Sequence, residues 1–288
     1  MNEVVTTGDV VAGLEAAGTA GRPLCVHSSL RSFGRLASGA ATVVDGVLGT
    51  GATVLAPVSS FRTCMAAPPP GASRPFNSED DGSVPAPGQI PAAAWDPAAT
   101  FVDPAMGMLP AEVLQRAGCV RGDHPLSSFA ALGPLAANLV AGQRPLDVFN
   151  PLRRLARLGG AVIAMGVGLD TITLLHLAER EAGLRLLRRW ALTADGVVEC
   201  EHGGCSRGFE RLADAVAPAE TRVSVGASTW RVWDARLLLT LATEAFRADP
   251  GAGTCADPAC ARCRDIVAAA VAGYVYPTAL DVPEKSSI

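Results

Sequence analysis

A histidine and a carboxylate three residues apart carry the clearest chemistry in this chain. His176 and Glu179 lie in the run LLHLAERE (174–181), and on a helix residues at i and i+3 share a face. An imidazole beside a carboxylate is a general base with a partner that fixes its tautomer and stabilises its charged form. Asp170, just upstream, offers a second carboxylate for that duty or for anchoring a cation. In RGDHPLSS (121–128) the proline drives His124 out of the helical region, so this histidine sits on an extended turn. It reads either as a turn residue tied to neighbouring backbone or as a substrate contact, with Asp123 as a capping or turn residue. In HSSLRS (27–32) the hydroxyls of Ser28 and Ser29 and the Arg31 guanidinium follow a strand and can hold a phosphate or a carbonyl-rich tail. A solvated loop is the competing reading there.

The 8 cysteines divide into kinds. Cys25, inside an apolar strand, reads as a buried hydrophobe rather than an acyl-accepting nucleophile. Cys200-x-His202-x2-Cys205 and Cys255-x4-Cys260-x2-Cys263 gather soft ligands in two clusters, and a tetrahedral structural zinc needs four. The favoured set is Cys205, Cys255, Cys260 and Cys263, with Cys200 and His202 as alternates. Reduced free thiols are the competing reading, and a catalytic zinc is not expected because four thiolates leave no open position.

The elements that must position these groups follow from periodicity and punctuation. Ala161–Val167 reads as a buried strand broken by Gly166 and Gly168, with Asp170-Thr171 as the cap of the helix that carries His176. Buried strands are also expected at Pro23–Val26 and Ala52–Pro57, and a further strand at Arg222–Val225. Helices are expected at 7–18, 40–50, 108–117, Pro134–Val140, Pro151–Leu158, Phe209–Val216, Asp234–Phe246 and Asp265–Ala272. From Thr63 to Asp103 the pattern dissolves into Pro, Gly and Ala around Glu79-Asp80-Asp81, which reads as a substrate lid or rim. Arg185, Arg188 and Arg189 read as a solvated face. Residues 1–282 read as one α/β domain with a cysteine-bearing element at 200–263, followed by a disordered tail, 283–288.

Composition narrows the function classes. A net charge of −4 provides no basic footprint for nucleic acid. The first residues lack a signal-peptide pattern and no stretch is apolar enough to span a bilayer, so a cytoplasmic protein with no membrane partner is expected. Thiols there stay reduced, which favours metal over disulfide.

Three stretches taken together resemble the aminoglycoside 3-N-acetyltransferase family: VHSSLRSFG (26–34), RGDHPLSSFAALG (121–133) and NPLRRLARLGGAVIAMGVGLDTITLLHLAE (150–179). The resemblance implies a large α/β/α fold with a mixed central sheet, distinct from the small common acetyltransferase fold. It implies acetyl-CoA as donor and a primary amine of an aminoglycoside-like or other polar small molecule as acceptor. The family's catalytic histidine maps to His176, and its coenzyme A contact region to Ser28, Ser29, Leu30 and Arg31, with Ser127 beside them. Ser127 or Ser128 would then donate to the leaving thiolate or the thioester oxyanion. Asp103, His124, Asp170 and Glu179 would face the cationic acceptor. An alkylammonium of pKa ~10 must lose a proton before it attacks a thioester, and a free imidazole at ~6.5 is matched to that task. FVDPAMG (101–107) departs from the family's Phe-Asp-Pro-x-Thr-Pro-Ser segment by losing Thr-Pro-Ser. That leaves open a biosynthetic enzyme with another acceptor, acyl donor or reaction, and, from a different class, a non-catalytic CoA-binding protein. Monomer and homodimer are both compatible.

Overall fold

The computed structural model describes residues 4–274, so the tail at 283–288 lies outside the described residues. Its centre is a seven-stranded sheet in the order Glu220–Val225, Ser228–Asp234, Ala161–Met165, Pro23–Ser28, Thr53–Ser59, Ser127–Leu132, Val120–Arg121. Only the middle pairings, Pro23–Ser28 with Ala161–Met165 and with Thr53–Ser59, are parallel; all others are antiparallel. The sheet is therefore mixed, as expected.

Strand alternation separates two cores. Cys25, Leu55, Phe129, Val162 and Ala164 face helices Ala136–Val140, Asn150–Arg157, Leu174–Glu181 and Ala235–Ala248. Leu24, Val26, Ala56, Ile163 and Trp230 face helices Thr7–Ala16, Ala40–Gly49 and Met108–Gln115. This is the α/β/α layering. Each fully buried leucine of the Leu174–Glu181 helix contributes about 1.5–3 kcal/mol through removal from water, and Leu174, Leu175 and Leu177 are all fully buried. A second, three-stranded sheet, Gly196–His202, Leu187–Thr193 and Met65–Ala66, carries its own small core of Cys64, Trp95, Leu126, Ala191 and Cys200.

Several expectations shift. The central strand ends at Met165, and Leu169–Thr171 forms a single 3₁₀ turn before the helix starts at Leu174. Asp170 is exposed on that turn and does not cap the helix, whose N-cap position is Thr173. Ser127–Leu132 and Ser228–Asp234 are strands that periodicity missed, because both of their faces are partly buried and the polar-apolar alternation is blurred. The last helix starts earlier, at Ala261, directly after Cys260. Arg185, Arg188 and Arg189 are buried rather than solvated. Arg188 pairs with Glu201 at 3.4 Å and Arg189 with Asp81 at 2.9 Å, so opposite charges on other elements make their burial tolerable. No helix among the described residues is long and apolar enough to cross a membrane.

Candidate active site

The parallel strands deliver their carboxyl ends to one edge of the sheet, where α/β folds open a crevice. The 23–28 strand ends there with His27 and Ser28, and the 161–165 strand turns at Gly166. Gly166 has φ of 67°, and a Cβ on it would lie 2.1 Å from Ser32 Oγ. A side chain is thus excluded on both conformational and steric grounds. Ser32 in turn bonds the Ser29 carbonyl at 2.7 Å and Ser228 Oγ at 2.7 Å, closing the turn that holds Ser28 to Arg31. Ser28, Ser29 and Leu30 are half-buried and Arg31 is exposed.

His176 and Glu179 meet as their spacing predicts. Nδ1 of His176 lies 2.6 Å from Glu179 Oε2, and their side chains are 11% and 4% exposed. A carboxylate at this distance can accept the Nδ1 proton, the arrangement in which a histidine's Nε2 is its accepting nitrogen. The imidazole lies between Phe149, stacked at 6.1 Å, and Phe209, edge-on at 4.8 Å. Gly203 closes the third side: a Cβ there would stand 2.7 Å from His176 Cδ2.

The remaining histidines lie on other elements. His202 ends the Gly196–His202 strand, stacks on Phe61 at 4.5 Å, and its Nδ1 lies 3.1 Å from Ser127 Oγ. It is held neutral by burial and by the cations Arg262 and Arg189, and a charge on His176 would oppose its own. His202 therefore belongs with Ser127 and His176, not with the cysteines. His27 points to the same side of the sheet as Cys25, with Nε2 3.5 Å from that thiol, and burial lowers its pKa to about 4. The strand period of two could have found it, since Cys25 and His27 share a face.

His124 is fully buried, and its Nδ1 accepts from the backbone N–H groups of Leu126 at 3.2 Å and Ser127 at 2.9 Å. Burial lowers its pKa to about 3, so it is a neutral turn clamp with no surface to offer a substrate. Ser128 faces away from Ser127: its hydroxyl donates to the Val58 carbonyl at 3.0 Å and accepts from Arg121 Nε at 2.9 Å. Arg121 is spent on anchoring the 95–101 segment, bonding the Ala99 and Phe101 carbonyls and covering the Trp95 ring at 4.6 Å. Asp103 is also buried, its carboxylate accepting from Ser59 Oγ at 2.9 Å and Arg62 N–H at 3.1 Å. The Ser128 hydroxyl, His124 Nδ1 and Asp103 Oδ2 are thus tied to the paired strands and the 59–64 turn. Asp123 accepts from Trp95 Nε1 at 2.9 Å.

Cys25 is fully buried, and burial pushes its thiol up, away from thiolate chemistry. Cys200 lies in the small core beside Cys64 and Trp95, and its burial raises its thiol in the same way. The alternates Cys200 and His202 therefore stand apart from the other four cysteines. Cys205, Cys255, Cys260 and Cys263 converge, with their Sγ atoms all within 4.8 Å of one another.

The profile of the aminoglycoside 3-N-acetyltransferase family matches residues 25–247. The chain belongs to that family. Among its relatives, the aminoglycoside N(3)-acetyltransferase VIII of Streptomyces fradiae is 36% identical over 186 residues, 62% of each chain. The match thus spans under two thirds of that relative's length. Among solved structures, AAC-VIa bound to sisomicin superposes with a TM-score of 0.68 at 26% identity, covering 85% of this chain and 98% of that one. AAC-IIIb as a binary complex with CoASH gives a TM-score of 0.65 at 23% identity over 85% of this chain and 97% of that one, a likeness of fold. The family's large α/β/α architecture is the one observed here.

Proposed function

We propose that this chain transfers the acetyl group of acetyl-CoA to a primary amine of an aminoglycoside by direct attack, with His176 as general base. The observation that carries the reading is the buried 2.6 Å contact of His176 Nδ1 with Glu179 in a chain of this family. Nε2 takes the proton as the amine nitrogen adds to the thioester carbon. Glu179 stabilises the imidazolium that forms, and collapse of the adduct expels the coenzyme A thiolate. Ser127, whose hydroxyl lies 3.1 Å from His202 Nδ1, is assigned the donation to the oxyanion or the departing sulfur. The turn at Ser28, Ser29, Leu30 and Arg31 supplies donors for the coenzyme A tail, consistent with the CoASH complex of a protein of the same fold. The sisomicin complex of another relative supports an aminoglycoside acceptor. Asp170, exposed on the turn before this helix, would meet the acceptor's remaining ammonium groups. The reaction needs no membrane or nucleic-acid partner and suits a cytoplasmic protein, as monomer or homodimer. Any metal held by the four convergent cysteines would be structural, since a tetrathiolate leaves no open position for substrate.

A second reading, another polar amine as acceptor, is favoured by one observation. The carboxylates of Glu79, Asp80 and Asp81 on the expected rim are already engaged, by Arg74 N–H and Asn77, by Arg264, and by Arg189 with Arg262. The experiment is thiol release from acetyl-CoA with aminoglycosides set beside other polyamines. Release with an aminoglycoside, abolished in folded His176→Ala, is expected. Turnover confined to other amines would shift the acceptor, and acetyl-CoA binding without turnover on any amine would leave a CoA-binding protein.

A further inference from the structure

We propose that Cys205, Cys255, Cys260 and Cys263 bind one zinc ion as a closed tetrathiolate, and that this ion fixes two segments: the 203–209 loop, which borders His176, and the acidic strap 78–81, which the helix after Cys260 holds. The second half rests on the reading of His176 as base; the metal site itself does not.

The ligand geometry comes first. A tetrahedral zinc with Zn–S of about 2.3 Å sets its sulfurs about 3.8 Å apart. All four Sγ atoms lie within 4.8 Å of one another, and the Cys255 and Cys263 sulfurs are 3.6 Å apart. Small inward adjustments reach the coordinated distance. The backbone N–H of Cys255 already points at Cys263 Sγ from 3.3 Å, the donation that a bound thiolate requires from its surroundings. Four thiolates around one divalent ion leave two negative charges, and the Arg207 guanidinium lies against the sulfurs of Cys205 and Cys260 to offset one. The ligands come from two chain segments that no strand joins: the loop after the Gly196–His202 strand, and the turn entering the Ala261–Val271 helix. A crosslink is most effective between such segments, because it removes the loop-closure entropy of everything between them.

What the ion would hold is set by the packing on either side. Between His202 and Phe209 the loop places Gly203 against one side of His176, while Phe209 rests edge-on against the imidazole at 4.8 Å. Gly208 lies on the 253–254 backbone so closely that a Cβ would meet the Thr254 carbonyl oxygen at 2.2 Å. Arg211 also donates to that carbonyl at 3.0 Å. Cys255 follows immediately, so the walls of the histidine and the metal site are one packed unit. On the other side, the helix entered at Cys260 grips the strap. Asp265 accepts from Ser78 N–H at 2.7 Å, Arg262 pairs with Asp81 at 2.6 Å, and Arg264 pairs with Asp80 at 3.0 Å. Phe76 and Ser78 take φ of 53° and 48°, left-handed values that non-glycine residues keep only when the surroundings over-determine them. The ion thus positions His176 and the strap; it touches no reacting atom.

The test begins with zinc content of wild-type protein purified without chelator, by elemental analysis, alongside a free-thiol count. Stoichiometric zinc is expected, retained in Cys200→Ser and in Cys255→His, which keeps four ligands, and lost in Cys260→Ser. The second half is read by limited proteolysis of the 67–100 segment and by kcat and KM. Cys260→Ser is expected to be cut faster and to lose on the order of 100-fold in kcat/KM, the effect of misplacing a catalytic group by about an ångström; Cys255→His is expected to behave as wild type. Wild type with substoichiometric metal and four reactive thiols, or with cystines in their place, overturns the site. Stoichiometric zinc with Cys260→Ser as protease-resistant and as active as wild type overturns the positioning role. If no amine is acetylated, the zinc and proteolysis measurements still decide the proposal, so its failure is distinct from failure of the acetyltransferase reading.

Discussion

Glu179→Gln isolates the charge in the proposed dyad. The wild-type carboxylate accepts from His176 Nδ1 at 2.6 Å with only 4% of its side chain exposed. Glutamine has the same shape, and its Oε1 can accept the same Nδ1–H, so the ring stays oriented. What disappears is the attraction between a buried anion and the imidazolium that forms during transfer. With charge centres about 4 Å apart and an effective dielectric of about 20, that attraction is about 4 kcal/mol, or roughly 1000-fold in rate. Some of it is returned by the amide dipole, so a fall in kcat of about 100- to 1000-fold is expected, with KM for acetyl-CoA nearly unchanged because the Glu179 carboxylate is engaged by His176. The assay is thiol release at saturating acetyl-CoA, with circular dichroism confirming the fold. Wild-type kcat in Glu179→Gln alongside an inactive His176→Ala would refute the reasoning, since the base would then need no buried anion. Loss of acetyl-CoA binding instead of kcat would place Glu179 on the cosubstrate.

Two further outcomes follow from the same geometry. Gly203→Ala puts a methyl group 2.7 Å from His176 Cδ2, so the ring must shift; kcat is expected to fall on the order of 10- to 100-fold while the fold survives an overpacking cost of about 1–3 kcal/mol, checked by parallel kinetics and urea unfolding. His124 is held neutral by burial, with a folded pKa of about 3, below the ordinary ~6.5. The unfolded chain therefore gains a proton first on acidification. Its contribution is complete above about pH 6.5 and is lost toward pH 3, at up to about 1.4 kcal/mol per pH unit. His124→Asn keeps an acceptor for the Leu126 and Ser127 N–H groups but cannot titrate, so the fall of the urea midpoint between about pH 6.5 and pH 4 should be shallower than in wild type; an equal slope would show that another group governs acid stability.

Local rules were enough to bring out much of this molecule. The i, i+3 spacing put His176 and Glu179 on one helix face, because helix geometry depends on nothing outside the helix. Glycine punctuation located the turn after the central strand, and the cysteine spacings picked out the four that converge. The apolar runs located the middle strands, whose burial on both faces leaves no alternation to misread. What stayed hidden depends on contacts between distant segments. Ser127 and Ser128 are indistinguishable as letters; only their strand, with its two sides facing different neighbours, sends one to His202 and the other to Arg121. The arginines at 185, 188 and 189 look like a solvated face until Asp81 and Glu201 arrive from other elements to pair two of them. His124 and Asp103 look reactive, yet both are buried, with His124 Nδ1 and Asp103 Oδ2 bonded to the turns they hold. Sequence alone determined which residues can do chemistry and which share a helix or strand. Tertiary packing decided which of them are free to act, because a buried polar group must be satisfied by whatever the fold brings beside it.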